Sequence, residues 1–339
     1  MPLESLDVVG IGNAIVDVIA SADDAFLAEH GMQKGSMALI DEARAEAIYA
    51  AMGAAVVTSG GSAGNTVAGV ASFGGRTGFI GKVRDDALGH EFRHDITAVG
   101  ARFPTPPAPR GPTTARCLIL VTPDSQRTMN TFLGAAASLG PQDVDAGLIA
   151  GAAITYLEGY LYDEPSAQEA FHMAAKIAHG AGRRVALSLS DAFCVNRHRD
   201  EFLRLVEHHV DVLFANEVEV TALFETDRLD AVVGRIRTMT DLAAITRGPD
   251  GSLIVTKDDA IEIRAEPVAS IVDTTGAGDL YAAGVLFGLT QGFGLPECGR
   301  LGSIAAAEVI GHFGARPQTS LRRLAALSHP ALRHPPGNA

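Results

Sequence analysis

Cysteine is scarce and scattered. The chain has three, Cys117, Cys194 and Cys298, far apart and in no Cys-x-x-Cys arrangement. That excludes a disulfide framework and a zinc ribbon and predicts a reducing, cytoplasmic setting. Positive charge is also short: 27 Lys and Arg against 40 Asp and Glu leave a net charge of −13. Such a balance argues against nucleic acid or an anionic membrane as the main partner, while leaving room for a local basic pocket. No basic segment precedes an apolar run at the N-terminus, so no secretory signal is expected. Long hydrophobic runs are missing too. The uncharged apolar stretch 280–296 is broken by glycines, Thr290 and Gln291, and reads as a buried helix plus a turn. No repeat of solenoid type is present.

What the chain does have is apolar material and glycine. Of 339 residues 47% are hydrophobic and 20% charged, enough for a buried core in one large domain or two modest ones. The 37 glycines exceed the usual ~7% and point to tight turns or to backbone lying close to a ligand. Strand and helix patterns alternate. Strands are predicted at 7–12, 54–58, 77–83, 153–157, 184–189, 212–215 and 242–246, with helices at 41–52, 63–73 and 86–99. Asp41 is a candidate cap for the first of these helices. The expected fold class is therefore α/β, with a doubly wound, mainly parallel sheet. Two stretches break the alternation, and one of them carries a hairpin pattern at 116–122 and 126–131. The expected division is an α/β core of residues 1–16, 41–104 and 134–328, a small β lid of 17–40 and 105–133, and a loose tail at 329–339.

Several motifs carry chemistry. Gly10-Ile-Gly-Asn-Ala-Ile15 begins like a dinucleotide fingerprint but has Ile15 at its third glycine position, which counts against NAD or FAD. Asp17 falls where the first strand should end, at the ligand edge of such a sheet, or else is a turn aspartate. Gly60-Gly61-Ser62-Ala63-Gly64 fits a nucleophile elbow, which would make Ser62 the serine of a hydrolase. The same glycines could instead bring backbone amides and Asn65 against a polyhydroxylated ligand. A Walker phosphate loop is absent, since Gly81-Lys82 is followed by Val83 and the position five before Gly81 holds Arg76. Asp273-Thr-Thr-Gly276-Ala277-Gly278-Asp279 enters a long helix and offers unpaired amides at its positive end, an anion site. Asp279, in the first turn, is expected to keep a low pKa and to accept a proton from a positioned hydroxyl. Asn216 and Glu219 straddle another helix start, where a carboxylate could organise hydrated Mg²⁺ or simply complete a cap. Thr246-Arg-Gly248-Pro-Asp-Gly251 is a turn whose glycines could lie against a nucleotide.

In this order the segments resemble the ribokinase-like (PfkB) carbohydrate kinase family, from Asp7 to about Pro317. Gly60-Gly-Ser-Ala-Gly-Asn65 with Gly81-Lys-Val-Arg-Asp-Asp is similar to its N-terminal signature, and Asp273–Asp279 to its C-terminal one. Lys34-Gly-Ser-Met37 and the segment from Ala306 to Pro317 look most like bacterial adenosine-kinase-like members. The resemblance implies phosphoryl transfer from ATP, with Mg²⁺, to a primary hydroxyl of a nucleoside such as adenosine; a free sugar or sugar phosphate is the alternative. It implies that Asp279 is the base, that Gly276, Ala277 and Gly278 form the anion hole, and that Arg127 swings in from the lid. Asn13, Asp17, Gly61, Ser62 and Asn65 would hold the substrate hydroxyls. Asn216, Thr246, Gly248 and Gly251 would serve the nucleotide and Glu219 the Mg²⁺, through water. Asp273 and the Thr275 carbonyl would take a monovalent cation such as K⁺. Thr275, Leu280 and Tyr281 depart from the usual adenosine-kinase pattern. The implied partner is a small molecule, bound by a monomer or homodimer.

Overall fold

The computed structural model describes residues 5–124 and 126–328. The tail expected at 329–339 and the hairpin residue Ser125 lie outside them. The chain runs β1 (Leu6–Ile11), β2 (Ile15–Ser21), α1 (Asp24–Glu29), β3 (Met37–Leu39), α2 (Glu42–Ala51), β4 (Ala55–Ser59), α3 (Ser62–Phe73), β5 (Thr77–Ile80) and α4 (Ala87–Ala98). It continues with β6 (Ala115–Val121), β7 (Arg127–Phe132), α5 (Ala146–Gly151), β8 (Ala152–Glu158), α6 (Pro165–Gly180), β9 (Arg184–Ser188), α7 (Ala192–Arg197) and α8 (Arg199–His209). Then follow β10 (Val212–Asn216), α9 (Glu217–Phe224), α10 (Leu229–Ile236), β11 (Leu242–Thr246), β12 (Ser252–Thr256), β13 (Ala260–Ile263), α11 (Ala277–Thr290), α12 (Leu295–Val309) and α13 (Leu321–Ser328).

Eight strands form the main sheet in the order β13-β12-β11-β10-β9-β8-β1-β5, parallel from β5 to β11. Its central strands are buried on both faces, which is why β1 is apolar except for Asp7, whose carboxylate accepts from the Arg76 amide and guanidinium. One face packs Tyr162, Phe171, Phe202 and Val220 from the helices between β8 and β11; the other packs Val67, Phe92, Leu280 and Leu301 from α3, α4, α11 and α12. The antiparallel hairpin β12–β13, not anticipated from the sequence, extends the sheet beyond β11. Helix starts follow the local chemistry. Asp41 accepts a hydrogen bond from the Arg44 amide and Asp86 from the Gly89 amide, capping α2 and α4.

A second sheet has the order β3-β7-β6-β2-β4, with β6 and β7 as the expected hairpin. Its extent differs from the expected 17–40 plus 105–133. Strand β4 belongs to it, paired antiparallel with β2 from Val16↔Ser59 to Ala20↔Ala55. Helix α2 joins it too, packing Ala45 and Ile48 against Val18, Leu118 and Phe132. A five-residue apolar strand carries no periodicity that would tell one sheet from another. The Pro-rich residues before β6 instead run along the main domain, where the Ala108 amide donates to the Val83 carbonyl.

The chain returns to the small sheet at Thr113-Thr114, and carboxylates from both sides hold it. Glu42 accepts from the Thr113 amide and hydroxyl at 3.0 and 2.6 Å. Asp86 accepts from the Thr114 amide and hydroxyl at 2.9 and 2.6 Å, and the Thr114 hydroxyl accepts from the Arg84 amide at 3.0 Å. Thr114→Val keeps the shape but leaves a buried amide and a carboxylate short of partners. It should lower stability by about 1–3 kcal/mol, read as a lower urea midpoint at unchanged slope. An unchanged midpoint would show that this crossing carries no load.

Candidate active site

A cleft of about 1300 Å³ lies between the two sheets, at the C-terminal ends of the parallel strands. It brings together most residues singled out from the sequence: Asn13, Asp17, Gly61, Ser62, Asn65, Asn216, Glu219, Thr246 and Thr275 through Asp279. Arg127, Asp273, Gly248 and Gly251 are not among its lining residues. Gly248 is exposed, and Gly251 is buried in the turn between β11 and β12.

The floor of the cleft is the start of α11. Gly276 has φ +80°, and a Cβ there would fall 2.8 Å from the Ala315 methyl, so only glycine fits. The amides of Gly276 and Gly278 have no partner among the described residues, whereas the Ala277 amide closes a turn onto the Thr274 carbonyl at 3.2 Å. Beside these free donors stands Asp279. The Ser62 hydroxyl donates to its Oδ1 at 2.6 Å and the Asn65 amide to its Oδ2 at 3.0 Å. A carboxylate held between two helices, next to unpaired helix-start amides, has the chemistry to take a proton beside a place where an anion can bind.

The comparisons fit this geometry. Residues 36–321 match the model described as pfkB family carbohydrate kinase. The chain belongs to that family. It is 51% identical to the adenosine kinase from Sinorhizobium meliloti, with a TM-score of 0.90 over 96% of this chain and 100% of that one. It is 46% identical to a probable sugar kinase from Rhizobium etli, with a TM-score of 0.90 over 97% of this chain and 100% of that one. Adenosine kinase of Saccharomyces cerevisiae is 26% identical over 333 residues, 90% of this chain and 94% of its own. The protein is thus a phosphotransferase that uses ATP and acts on a hydroxyl group. None of the described helices is long and apolar enough to cross a membrane.

The reading of Ser62 as a hydrolase nucleophile fails. No histidine lines the cleft among the described residues, and the Ser62 hydroxyl is committed to Asp279. The expected low pKa of Asp279 also fails: removal from bulk water pushes it up, against the pull of Ser62 and Asn65. Its oxygens take those two donors rather than the amides of its own helix. Asp17 is not at the end of β1 but is the third residue of β2, facing the cleft. Its carboxylate has no hydrogen-bond partner among the described residues, and burial raises its pKa to about 7.

Glu219 is a buried member of a capping box: its oxygens accept from the Asn216 amide at 3.0 Å and the Asn216 side chain at 2.6 Å. Burial raises its pKa to about 7. No group of three or more His, Cys, Asp or Glu that could hold a metal occurs among the described residues. One cleft-facing carboxylate suits Mg²⁺ carried by phosphate oxygens and water. Asp273 does not suit K⁺ in this arrangement. Its Oδ1 accepts from the Thr275 amide and hydroxyl, and its Oδ2 from the Gly314 amide while pairing with Arg127. Arg127 also donates to the Thr275 hydroxyl at 3.2 Å, so the small sheet is pinned to the anion turn.

Glu158 and Phe193 are among the cleft residues that escaped the sequence reading. Glu158, at the end of β8, accepts from the Asn13 side chain at 2.7 Å, the Asn13 amide at 3.2 Å and the Ala63 amide at 2.8 Å. It thereby ties the ends of β1 and β8 to the start of α3, with its pKa raised to about 7 by burial. The available signal was its place just after a predicted strand. Phe193, on the rim in α7, is 77% exposed.

Acids with raised pKa values weaken the fold as they ionise. Asp17 in the folded chain holds a proton that the unfolded chain releases, so stability falls between about pH 4 and pH 7 and the full cost remains above that. Asp17→Asn should raise Tm by roughly 2–6 °C at pH 8 and leave it unchanged at pH 4. Equal melting temperatures at both pH values would contradict the shift.

Proposed function

We propose that this kinase phosphorylates the primary hydroxyl of adenosine or a closely related ribonucleoside. The observation that carries the reading is Asp279, clamped by Ser62 and Asn65 beside the free amides of Gly276 and Gly278. The substrate hydroxyl would lie between them and lose its proton to Asp279 as its oxygen bonds to the γ-phosphorus. The bond from that phosphorus to the bridging oxygen breaks, and ADP leaves with the electron pair. Such a transfer has a loose transition state, so positioning and charge neutralisation supply most of the rate. The glycine-turn amides would hold the transferring group. Arg127 would leave Asp273 to meet it, carried by a closing small sheet.

The ribose end has its own acceptors. Asp17, free of protein partners, stands near Asn13, Gly61 and Asn65 on the cleft wall, and a carboxylate is suited to accept from two neighbouring hydroxyls. A base is favoured over a bare sugar because Phe193 offers an open ring on the rim, while Ile119, Leu39 and Met129 line the small-sheet side. The similarity to the Sinorhizobium meliloti adenosine kinase supports this choice. Asn216 and Thr246 would lie along the nucleotide, and Glu219 would orient water on Mg²⁺. When bound, that ion neutralises the phosphate oxygens. The three buried free cysteines accord with a reducing cytoplasm.

A free sugar is the second reading, favoured by the similarity to the Rhizobium etli probable sugar kinase. An ADP-release screen separates the two. Adenosine should exceed ribose and fructose in kcat/KM by at least about 10²-fold, as expected where a whole ring system is bound. 5′-Deoxyadenosine should be inert. A sugar turning over faster than any nucleoside would overturn the assignment.

A further inference from the structure

Two carboxamides line the cleft, and each has its nitrogen tied to a carboxylate. Asn13, in the turn from β1 to β2, donates from Nδ2 to Glu158 Oε1 at 2.7 Å, and its backbone amide donates to the same oxygen at 3.2 Å. Asn65 on α3 donates from Nδ2 to Asp279 Oδ2 at 3.0 Å, which leaves its buried Oδ1 without a hydrogen-bond partner. An ionised carboxylate only accepts, so neither amide can turn over without setting oxygen against oxygen. For Asn13 the polar atom left to a ligand is therefore the carbonyl oxygen. Beside it stands Asp17, a second acceptor on the same wall.

Glu158 has no such atom to spare. It is 1% exposed, and its other oxygen, Oε2, accepts from the Ala63 amide at 2.8 Å. That amide lies in the first turn of α3, whose N-cap is Gly61 and has no side chain to offer. Glu158 thus caps α3 from the end of β8 while it holds Asn13. Three of the roughly four lone-pair sites of the carboxylate are taken, all by N–H groups of the protein. A Cβ on Gly12 would fall 2.3 Å from Oε2, so glycine at that position leaves the carboxylate its room. Glutamine would not serve. Wherever its NH₂ pointed it would meet an N–H, and facing Asn13 it would have to turn that side chain over, so that NH₂ rather than C=O reached the ligand.

We propose that Glu158 is a positioning residue for substrate choice: without touching the ligand, it fixes the Asn13 carbonyl toward the cleft, so that this position takes a group able to donate a proton, a hydroxyl of a sugar ring. The proposal rests on the reading of the substrate as a nucleoside whose ribose lies along Asn13 and Asp17. A C–F group replacing C–OH is close in size and cannot donate, so it separates hydrogen bonding from shape.

The test is calorimetric binding of adenosine, 2′-deoxy-2′-fluoroadenosine and 3′-deoxy-3′-fluoroadenosine, without ATP. The proteins are the full-length wild type, Glu158→Gln, Asn13→Ala and the double variant. Measurements are made at pH 8.5, above the ionisation of Glu158 and Asp17 near pH 7. The wild type should bind at least one fluoro compound about tenfold more weakly than adenosine. Glu158→Gln should reduce that ratio to about threefold or less, and in the Asn13→Ala background it should change the ratio no further. Three outcomes would overturn the proposal: a wild type that binds both fluoro compounds as tightly as adenosine, a Glu158→Gln protein that weakens all three ligands equally, or a shift of the ratio that persists without Asn13. If Glu158→Gln does not fold, Asn13→Ala decides, since unchanged ratios for both fluoro compounds would contradict the role given to its carbonyl. Binding of ribose but of no nucleoside would sink the nucleoside reading alone, and 3-deoxy-3-fluororibose against ribose would then put the same question to Glu158.

Discussion

Two hydrogen bonds to one carboxylate join the parts of this site. Ser62 and Asn65 lie in the first turns of α3, Asp279 in the first turn of α11, and the bonds between them fix the two helix starts against each other. Thr66 adds a third tie, from its hydroxyl to the Asp279 carbonyl at 3.2 Å. The positive ends of both helices therefore open on the same cleft, where phosphate and developing charge are best stabilised. Glu158 extends the constraint to the strand ends by holding Asn13 and the Ala63 amide.

The cost of this arrangement is crowded negative charge. Asp17, Glu158, Glu219 and Asp279 all have raised pKa values with burial as the first cause. Arg127 and Arg316 reach the same region from the small sheet and from the segment after α12. Arg127 is paired with Asp273, while Nε and Nη2 of Arg316 have no hydrogen-bond partner among the described residues. The two apolar cores on either face of the main sheet give it a rigid base.

Much of this was legible in the sequence because the signals are local. The cap at Asp41, the alternation of strand and helix, and the glycine-rich starts of α3 and α11 each depend on a few adjacent residues. What escaped depends on distant partners. The apolar run of β4 fits either sheet, and only its pairing with β2 decides. Glu158 is one acid after one strand until Asn13, 145 positions earlier, is brought to it. Arg316 carries no local signal of burial until the chain folds it onto Gly64. The capping reading of Asn216 and Glu219 was correct for the hydrogen bonds yet missed that Glu219 is buried.

The central claim is that Ser62 and Asp279 act as one unit in proton removal. A double-mutant cycle on the single-turnover phosphoryl-transfer rate tests it, using Ser62→Ala, Asp279→Asn and the pair. Loss of a general base is typically worth ~10²–10⁴-fold, so Asp279→Asn should fall by that order with ATP affinity little changed. Ser62→Ala should be slowed on its own, yet add nothing to Asp279→Asn, because the carboxylate it orients is already gone. Fully additive losses, or an Asp279→Asn enzyme with a near-normal rate, would contradict the account.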